Sequence, residues 1–312
     1  MISSHYEDLY SRIHGPVYPI PPAFNKDLSL DNKSISSYVE FLNSNNIRAI
    51  MLTAGTSRFN LLTNEEILDF SKTVIETNRG KAVTIAANPI IGSTKETIEF
   101  CKVLEKLGTD AVLLYYPERY YNDDYIYQYV KEIANSLRIA VLLHTVPMRN
   151  GRVTGIPYVP YSLDLCMRLA EINNFVGMKE ESGDQNLVYK LGVHLGDKLV
   201  IIIAGAAMRS FMGVKNFGIR AFLTGIGSFK PEIEENFYKA ILTKDNISAL
   251  RYITKFEEPF FDVAFPMGWH VAMKGTMELL NIMPAYERHP LKSIDDKDRK
   301  ELELLLKRFG WI

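Results

Sequence analysis

Eight short apolar runs, rich in β-branched residues, recur along this chain: Val17–Ile20, Ile47–Leu52, Ala82–Ala86, Asp110–Leu114, Ile139–Leu143, Phe175–Met178, Leu199–Ile203 and Ala221–Leu223. They start roughly 20 to 35 residues apart, the length of one strand and one helix together. None alternates strictly between apolar and polar, so each reads as a strand buried on both faces. Helical spacing fills the intervals. Asp31 is placed to cap the first helix, where Ile35, Tyr38, Val39 and Leu42 share a face. Thr63 with Glu66, and Ser93 with Glu96, have capping-box spacing. Eight such units in 312 residues predict an α/β fold of the closed (β/α)8 TIM-barrel type rather than an open sheet.

Beyond Lys230 the pattern is helical, over Ile233–Leu242, Ile247–Phe256, Val271–Leu280 and Asp295–Phe309. Pro231, Pro259, Pro266 and Pro284 read as helix boundaries. The expected organisation is a barrel over residues 1–230. Residues 231–312 then supply its last helix and a C-terminal helical extension, packed on the barrel as one structural unit.

A net charge of −1 argues against nucleic acid and anionic membrane as partners. No apolar run approaches the roughly 20 residues that cross a bilayer. The first residues, Met1 to Asp8, lack the basic and apolar segments of a secretory leader. Two cysteines, Cys101 and Cys166, suggest a reducing compartment, so the chain is expected in the cytoplasm. The six histidines show no carboxylate-paired metal spacing, so no metal is expected. Gly225-Ile226-Gly227 fails as a dinucleotide fingerprint because Lys230 stands at the third glycine position. No Gly-x-Ser-x-Gly elbow occurs, and no cofactor is expected.

Chemistry in such a barrel sits at the C-terminal strand ends. Lys179 closes the sixth run, in Phe175-Val176-Gly177-Met178-Lys179-Glu180-Glu181-Ser182-Gly183-Asp184. An amine among apolar groups loses its proton more readily, and a neutral amine attacks a ketone. By itself the lysine reads more readily as a solvated loop residue following a strand. Its neighbours at the same mouth favour chemistry. Gly55-Thr56-Ser57, after strand two, offers N–H groups and two hydroxyls as a carboxylate nest. His144, after strand five, titrates in the range of a proton shuttle. Arg149 can grip a second carboxylate or a polar tail with its fork. Ala204-Gly205-Ala206 and Thr224-Gly225 are the turns after strands seven and eight. The tyrosines from Tyr115 to Tyr129 read as packing or subunit-contact residues.

Val176 to Asp184 resembles the strand-six lysine motif of the dihydrodipicolinate synthase / N-acetylneuraminate lyase family. Val146-Pro147-Met148-Arg149 resembles its Pro-x-Arg element, as in the dihydrodipicolinate synthase branch. Ala204-Gly205, Gly218 to Thr224, Lys274 to Leu280, and Arg288-His289-Pro290-Leu291 extend the likeness over nearly the whole chain. The resemblance implies a class I, Schiff-base lyase. Lys179 would form the imine with pyruvate or a pyruvate-like 2-oxo acid. Thr56, Gly205 and Leu223 would lie at that acid, and Arg149 at the substrate's far end. It also implies a homotetramer or homodimer.

The chain departs from the family at four places. Ala54-Gly55-Thr56-Ser57-Arg58 stands for the family's Gly-Thr-Thr-Gly-Glu, and His144-Thr145 for its Tyr-Asn pair. Pro117 and Glu118 stand where a second family tyrosine is expected, and an insertion falls within Asn150 to Pro160. Two further readings follow. One is a dehydratase or aldolase of a 2-keto-3-deoxy sugar acid. The other is a catalytically impaired barrel that binds a 2-oxo acid.

Overall fold

The computed structural model describes residues 4–152, 158–205 and 207–312. Eight parallel strands close into a barrel: β1 (Gly15–Pro19), β2 (Ala49–Met51), β3 (Val83–Ala87), β4 (Ala111–Leu114), β5 (Ala140–His144), β6 (Phe175–Glu180), β7 (Val200–Ile203) and β8 (Ala221–Leu223). Each strand pairs with its neighbours in sequence, and β8 closes on β1 through Gly15 opposite Ala221. The predicted fold class is thereby observed. The strand interiors are buried on both faces, which is why their sequences run apolar without alternation.

Helix starts follow the local chemistry. α1 (Ser4–Arg12) precedes the barrel. Asp31 caps α2 (Asn32–Ser44) by accepting from the Ser34 N–H at 3.0 Å. Thr63 and Ser93 form complete capping boxes on α3 (Asn64–Asn78) and α4 (Thr94–Leu107). Next come α5 (Asp123–Asn135), α6 (Leu163–Leu169), α7 (Gln185–Leu195) and α8 (Ala207–Val214). Met148–Arg149, just before the inserted stretch, pairs antiparallel with Tyr158–Val159 near its end. Residues 153–157 of the insertion lie outside the described residues, as does Ala206 of the strand-seven turn.

Two strand ends differ from the sequence expectation in a way that matters. β5 runs through His144 and β6 runs through Lys179 to Glu180, where the apolar runs stop at Leu143 and Met178. Polar side chains at these ends keep strand backbone because the parallel ladder continues through them: His144 stands opposite Lys179, and Lys179 opposite Ile202. The helical period beyond β8 gives α9 (Pro231–Leu242), α10 (Asn246–Tyr252), α12 (Trp269–Leu279) and α13 (Asp296–Phe309). One helix was not expected. α11 (Glu258–Met267) occupies the stretch between two prolines read as boundaries. Pro259 sits in its first turn, where the missing N–H costs nothing, and Pro266 sits at its last turn. Barrel residues such as Ile50 and Ile85 share one contiguous core with Phe260, Met273 and Leu302 of the extension. Among the described residues no helix is long and apolar enough to cross a membrane.

Gly177 fixes how closely β6 meets β7. A Cβ there would fall on the Val200 carbonyl oxygen, well inside van der Waals contact. Gly177→Ala must therefore part the two strands. It is expected to cost about 1–3 kcal/mol, as overpacking does. Urea unfolding checks this, and an unchanged midpoint would contradict the close approach.

Candidate active site

The pairing of β5 with β6 sets His144 and Lys179 side by side at the barrel mouth. Their side chains share the interior face, because residues level with each other on adjacent strands point the same way. Lys179 is 3% exposed, and its Nζ lies 3.0 Å from His144 Nε2. Glu181, two residues on, leaves the strand and turns its carboxylate back to the same spot. Its Oε2 accepts from Lys179 Nζ and lies 2.7 Å from His144 Nε2. An amine, an imidazole and a carboxylate thus meet around one point.

The proton positions follow from these contacts. Burial is the largest influence on the Lys179 amine and lowers its pKa from the usual lysine value, while the Glu181 charge opposes that fall. Burial also lowers His144, to about 4; Lys179 pushes the same way and Glu181 opposes. For Glu181, burial pushes upward, but the His144 hydrogen bond and the Lys179 charge prevail and hold it at about 2. Glu181 is therefore ionised and His144 neutral near neutral pH. A nitrogen and a carboxylate oxygen 2.7 Å apart need a proton between them, so Nε2 carries the imidazole hydrogen. Nδ1 is then a bare acceptor. It is buried and has no partner among the described residues.

Tyr115, the residue after β4, supports this arrangement. Its ring stands edge-on to His144, with centroids 4.8 Å apart. Its hydroxyl accepts from the Ala54 N–H at 2.7 Å, and its own N–H donates to Asn88 Oδ1 at 2.8 Å. The aromatic residue that sequence reading assigned to packing thus also fixes the imidazole plane and ties the β2 turn to it.

Lys179, His144 and Glu181 open onto a cavity of about 280 Å³. Gly55 and Thr56 line it from the β2 turn, Gly205 from the β7 turn, and Leu223 and Thr224 from β8. Of the expected site residues, Ser57 and Arg149 are not among those lining this cavity. The Ser57 hydroxyl donates to the Ile20 carbonyl at 2.6 Å and accepts from the Thr53 N–H at 3.0 Å. The expected nest of successive N–H groups also closes on itself. Ser57 N–H donates to the Thr53 carbonyl, and Thr56 N–H to Thr53 Oγ1. These short-range bonds curl the turn into a helical loop, leaving Gly55 and the Thr56 side chain to face the cavity. Arg149 is exposed and lines a neighbouring cavity with Arg119 and Tyr116, on the other side of the His144 ring.

Sequence reading missed the rest of the wall. Phe261 and Phe265 of α11, and Trp269 and His270 of α12, close the cavity from the C-terminal extension. Burial, aided by the Arg58 charge, lowers His270 to about 4. Arg58 is buried. Its guanidinium donates to the Gly55 carbonyl at 3.0 Å and pairs with Glu287 at 3.4 Å. Arg58 therefore links the β2 turn to the extension. Glu181 was the one missed residue with a signal in the sequence: an acid two positions past a strand-end lysine.

A family model described as the dihydrodipicolinate synthetase family matches residues 13–309. The 4-hydroxy-tetrahydrodipicolinate synthase of Archaeoglobus fulgidus is 26% identical over 287 residues, covering 91% of this chain and 94% of that protein. A probable 5-dehydro-4-deoxyglucarate dehydratase of Rhizobium meliloti is 26% identical over 308 residues, covering 96% and 97%. The crystal structure of a chloride-inhibited dihydrodipicolinate synthase from Acinetobacter baumannii complexed with pyruvate superposes with a TM-score of 0.82 at 26% identity, covering 96% of this chain and 100% of that one. N-acetylneuraminate lyase from Mycoplasma synoviae shares the fold, with a TM-score of 0.82 at 22% identity over 96% of this chain and 99% of that one.

The Glu181 charge is what opposes the fall in the Lys179 pKa. Glu181→Gln removes it, so the amine should lose its proton at a lower pH than in the parent protein. Reductive methylation of Lys179 by formaldehyde, followed by peptide mass spectrometry across pH, should show its acid limb moved to lower pH. Movement to higher pH would contradict the opposing roles of burial and Glu181.

Proposed function

This chain belongs to the dihydrodipicolinate synthetase family, and from that premise we propose that it is a class I lyase acting on pyruvate or a pyruvate-like 2-oxo acid through an imine on Lys179. Members of the family are lyases. The observation that carries the finer reading is the buried amine, pKa-lowered and hydrogen-bonded to an imidazole, at the floor of a cavity. The Acinetobacter synthase that this chain resembles was crystallised with pyruvate, which supports the choice of substrate.

The chemistry runs as follows. The neutral Lys179 amine adds to the ketone carbon, and the oxygen takes up a proton to give a carbinolamine. His144 carries protons between Nζ, that oxygen and Glu181. Loss of water leaves the iminium. The iminium withdraws electrons from the adjacent carbon, which gives up a proton and becomes the enamine nucleophile. Attack on an aldehyde forms a carbon–carbon bond, and the reverse step cleaves one. Hydrolysis of the imine returns the lysine. Gly55 and Thr56 are assigned to the carboxylate, with Gly205 and Leu223 beside it. No cofactor enters, because the iminium is itself the electron sink. We read the working protein as cytoplasmic and as a homotetramer or homodimer, with the barrel and its extension unfolding together as one unit.

A second reading has one observation behind it. The Rhizobium relative is a probable 5-dehydro-4-deoxyglucarate dehydratase, and the same enamine can expel a hydroxide from the next carbon to give a dehydrated sugar acid. Product analysis with 2-keto-3-deoxy acids separates dehydration from cleavage.

Borohydride reduction in the presence of pyruvate should add a pyruvyl group to the peptide carrying Lys179. Lys179→Ala should abolish both adduct and turnover, and full activity in that variant would sink the reading. His144→Phe should keep the adduct and lose about 10²–10⁴-fold in kcat, the usual worth of a positioned acid–base. A parent protein that binds 2-oxo acids tightly yet turns over none would instead be the impaired, ligand-binding barrel.

A further inference from the structure

The Lys179 cavity has two unlike walls. The barrel side is small and polar, with Thr53, Thr56 and Thr224 around the amine. The outer side is aromatic and comes from the C-terminal extension. Phe261 and Phe265 stack, with centroids 4.6 Å apart and planes 17° from parallel. Trp269 stands edge-on to Phe261 at 5.4 Å. Phe265 is 51% exposed, although it belongs to this cluster and lines the cavity.

Three backbone features aim the cluster inward. A π-turn at Ile253–Glu257 runs directly into α11, and such turns recur at functional sites. Gly268, at φ +92°, lets α11 break sharply into α12, which places Trp269 and His270 at the cavity. Gly225 makes room for Phe261: a Cβ there would stand 2.8 Å from the ring's Cζ.

The charges around the cavity sharpen the picture. Among the described residues lining it there is no guanidinium, and Lys179 is the one amine, whose charge as the iminium sits beside the 2-oxo acid's carboxylate. Glu181 is already an anion, and both imidazoles are kept neutral by burial. Arg58 is engaged with Glu287, and Arg149 lies in the neighbouring cavity. A second carboxylate on the substrate would be buried with no cation but the iminium, which already faces Glu181 and the 2-oxo acid's own carboxylate, and that is costly. A broad apolar group would exchange water for three aromatic rings.

We propose that the fragment joined to, or released from, the 2-oxo acid carries an aromatic or similarly broad apolar face, and that Phe261, Phe265 and Trp269 select it. This rests on the lyase reading above.

The test takes the full chain with pyruvate and three aldehydes: benzaldehyde, glyceraldehyde and succinic semialdehyde. Pyruvate trapping by borohydride is measured first. An absent adduct on Lys179 brings down the lyase reading, and this inference with it. With the adduct present, kcat/KM for benzaldehyde should exceed that of both other aldehydes by roughly tenfold or more, within the 10–200-fold range that apolar contacts discriminate. Phe265→Ala should cut the benzaldehyde-to-glyceraldehyde ratio by about the same factor, mainly through KM, and Phe265→Leu should restore part of it. The ratio is internal to each preparation, so partial misfolding does not imitate the effect, and the parent protein's preference decides the matter if a variant does not fold. Preference for either polar aldehyde, turnover of none of the three, or an unchanged ratio in Phe265→Ala would overturn the inference while leaving the Schiff base standing.

Discussion

The parallel ladder between β5 and β6 is the constraint on which the site depends. It places His144 level with Lys179 on one face, so the imidazole and the amine need no loop to bring them within 3.0 Å. Groups held on strands of a closed barrel stay put, because shifting them means breaking a sheet buried on both faces. Gly177 lets β7 come close on the other flank, and Tyr115 braces the imidazole from β4. The amine and the imidazole are thus fixed from both sides by backbone and packing.

Electrostatics then divides the labour. Burial disfavours the charged form of both nitrogen groups. Left alone, burial would also leave two basic groups side by side with nowhere to pass a proton. Glu181 answers this. It stays ionised, takes the Nε2 hydrogen bond, and fixes the tautomer that leaves Nδ1 as an acceptor.

The C-terminal extension is part of the cavity as well as a cover for the barrel. The Arg58–Glu287 pair and the Lys274 amine, which donates to the Pro22 carbonyl at 2.7 Å, bind it to the loops after β1 and β2. Its helices α11 and α12 supply an aromatic wall that the barrel strands do not provide. The barrel side of the cavity holds the amine, the imidazole and the carboxylate, and the extension closes it from the opposite side.

The alternation of strand and helix was legible in the sequence because hydrophobic period and capping are local: Asp31, Thr63 and Ser93 cap where their spacing says they should. The position of Lys179 at a strand end, and of Gly55, Thr56, Gly205 and Leu223 at the same mouth, follows from that alternation, since strand ends of a closed barrel converge. What the sequence left open depends on contacts between distant segments or on exact loop geometry. Ser57 lies beside Thr56 yet turns to the Ile20 carbonyl, because the turn after β2 closes on its own hydrogen bonds. Arg149 follows β5 closely, but its segment pairs with Tyr158–Val159 and carries it to the next cavity. Phe261, Phe265, Trp269 and His270 sit roughly 80 or more residues beyond Lys179, past two prolines that look like helix ends. Only the packing of the extension over the barrel brings them to the amine, because no local period records which distant face a helix will cover.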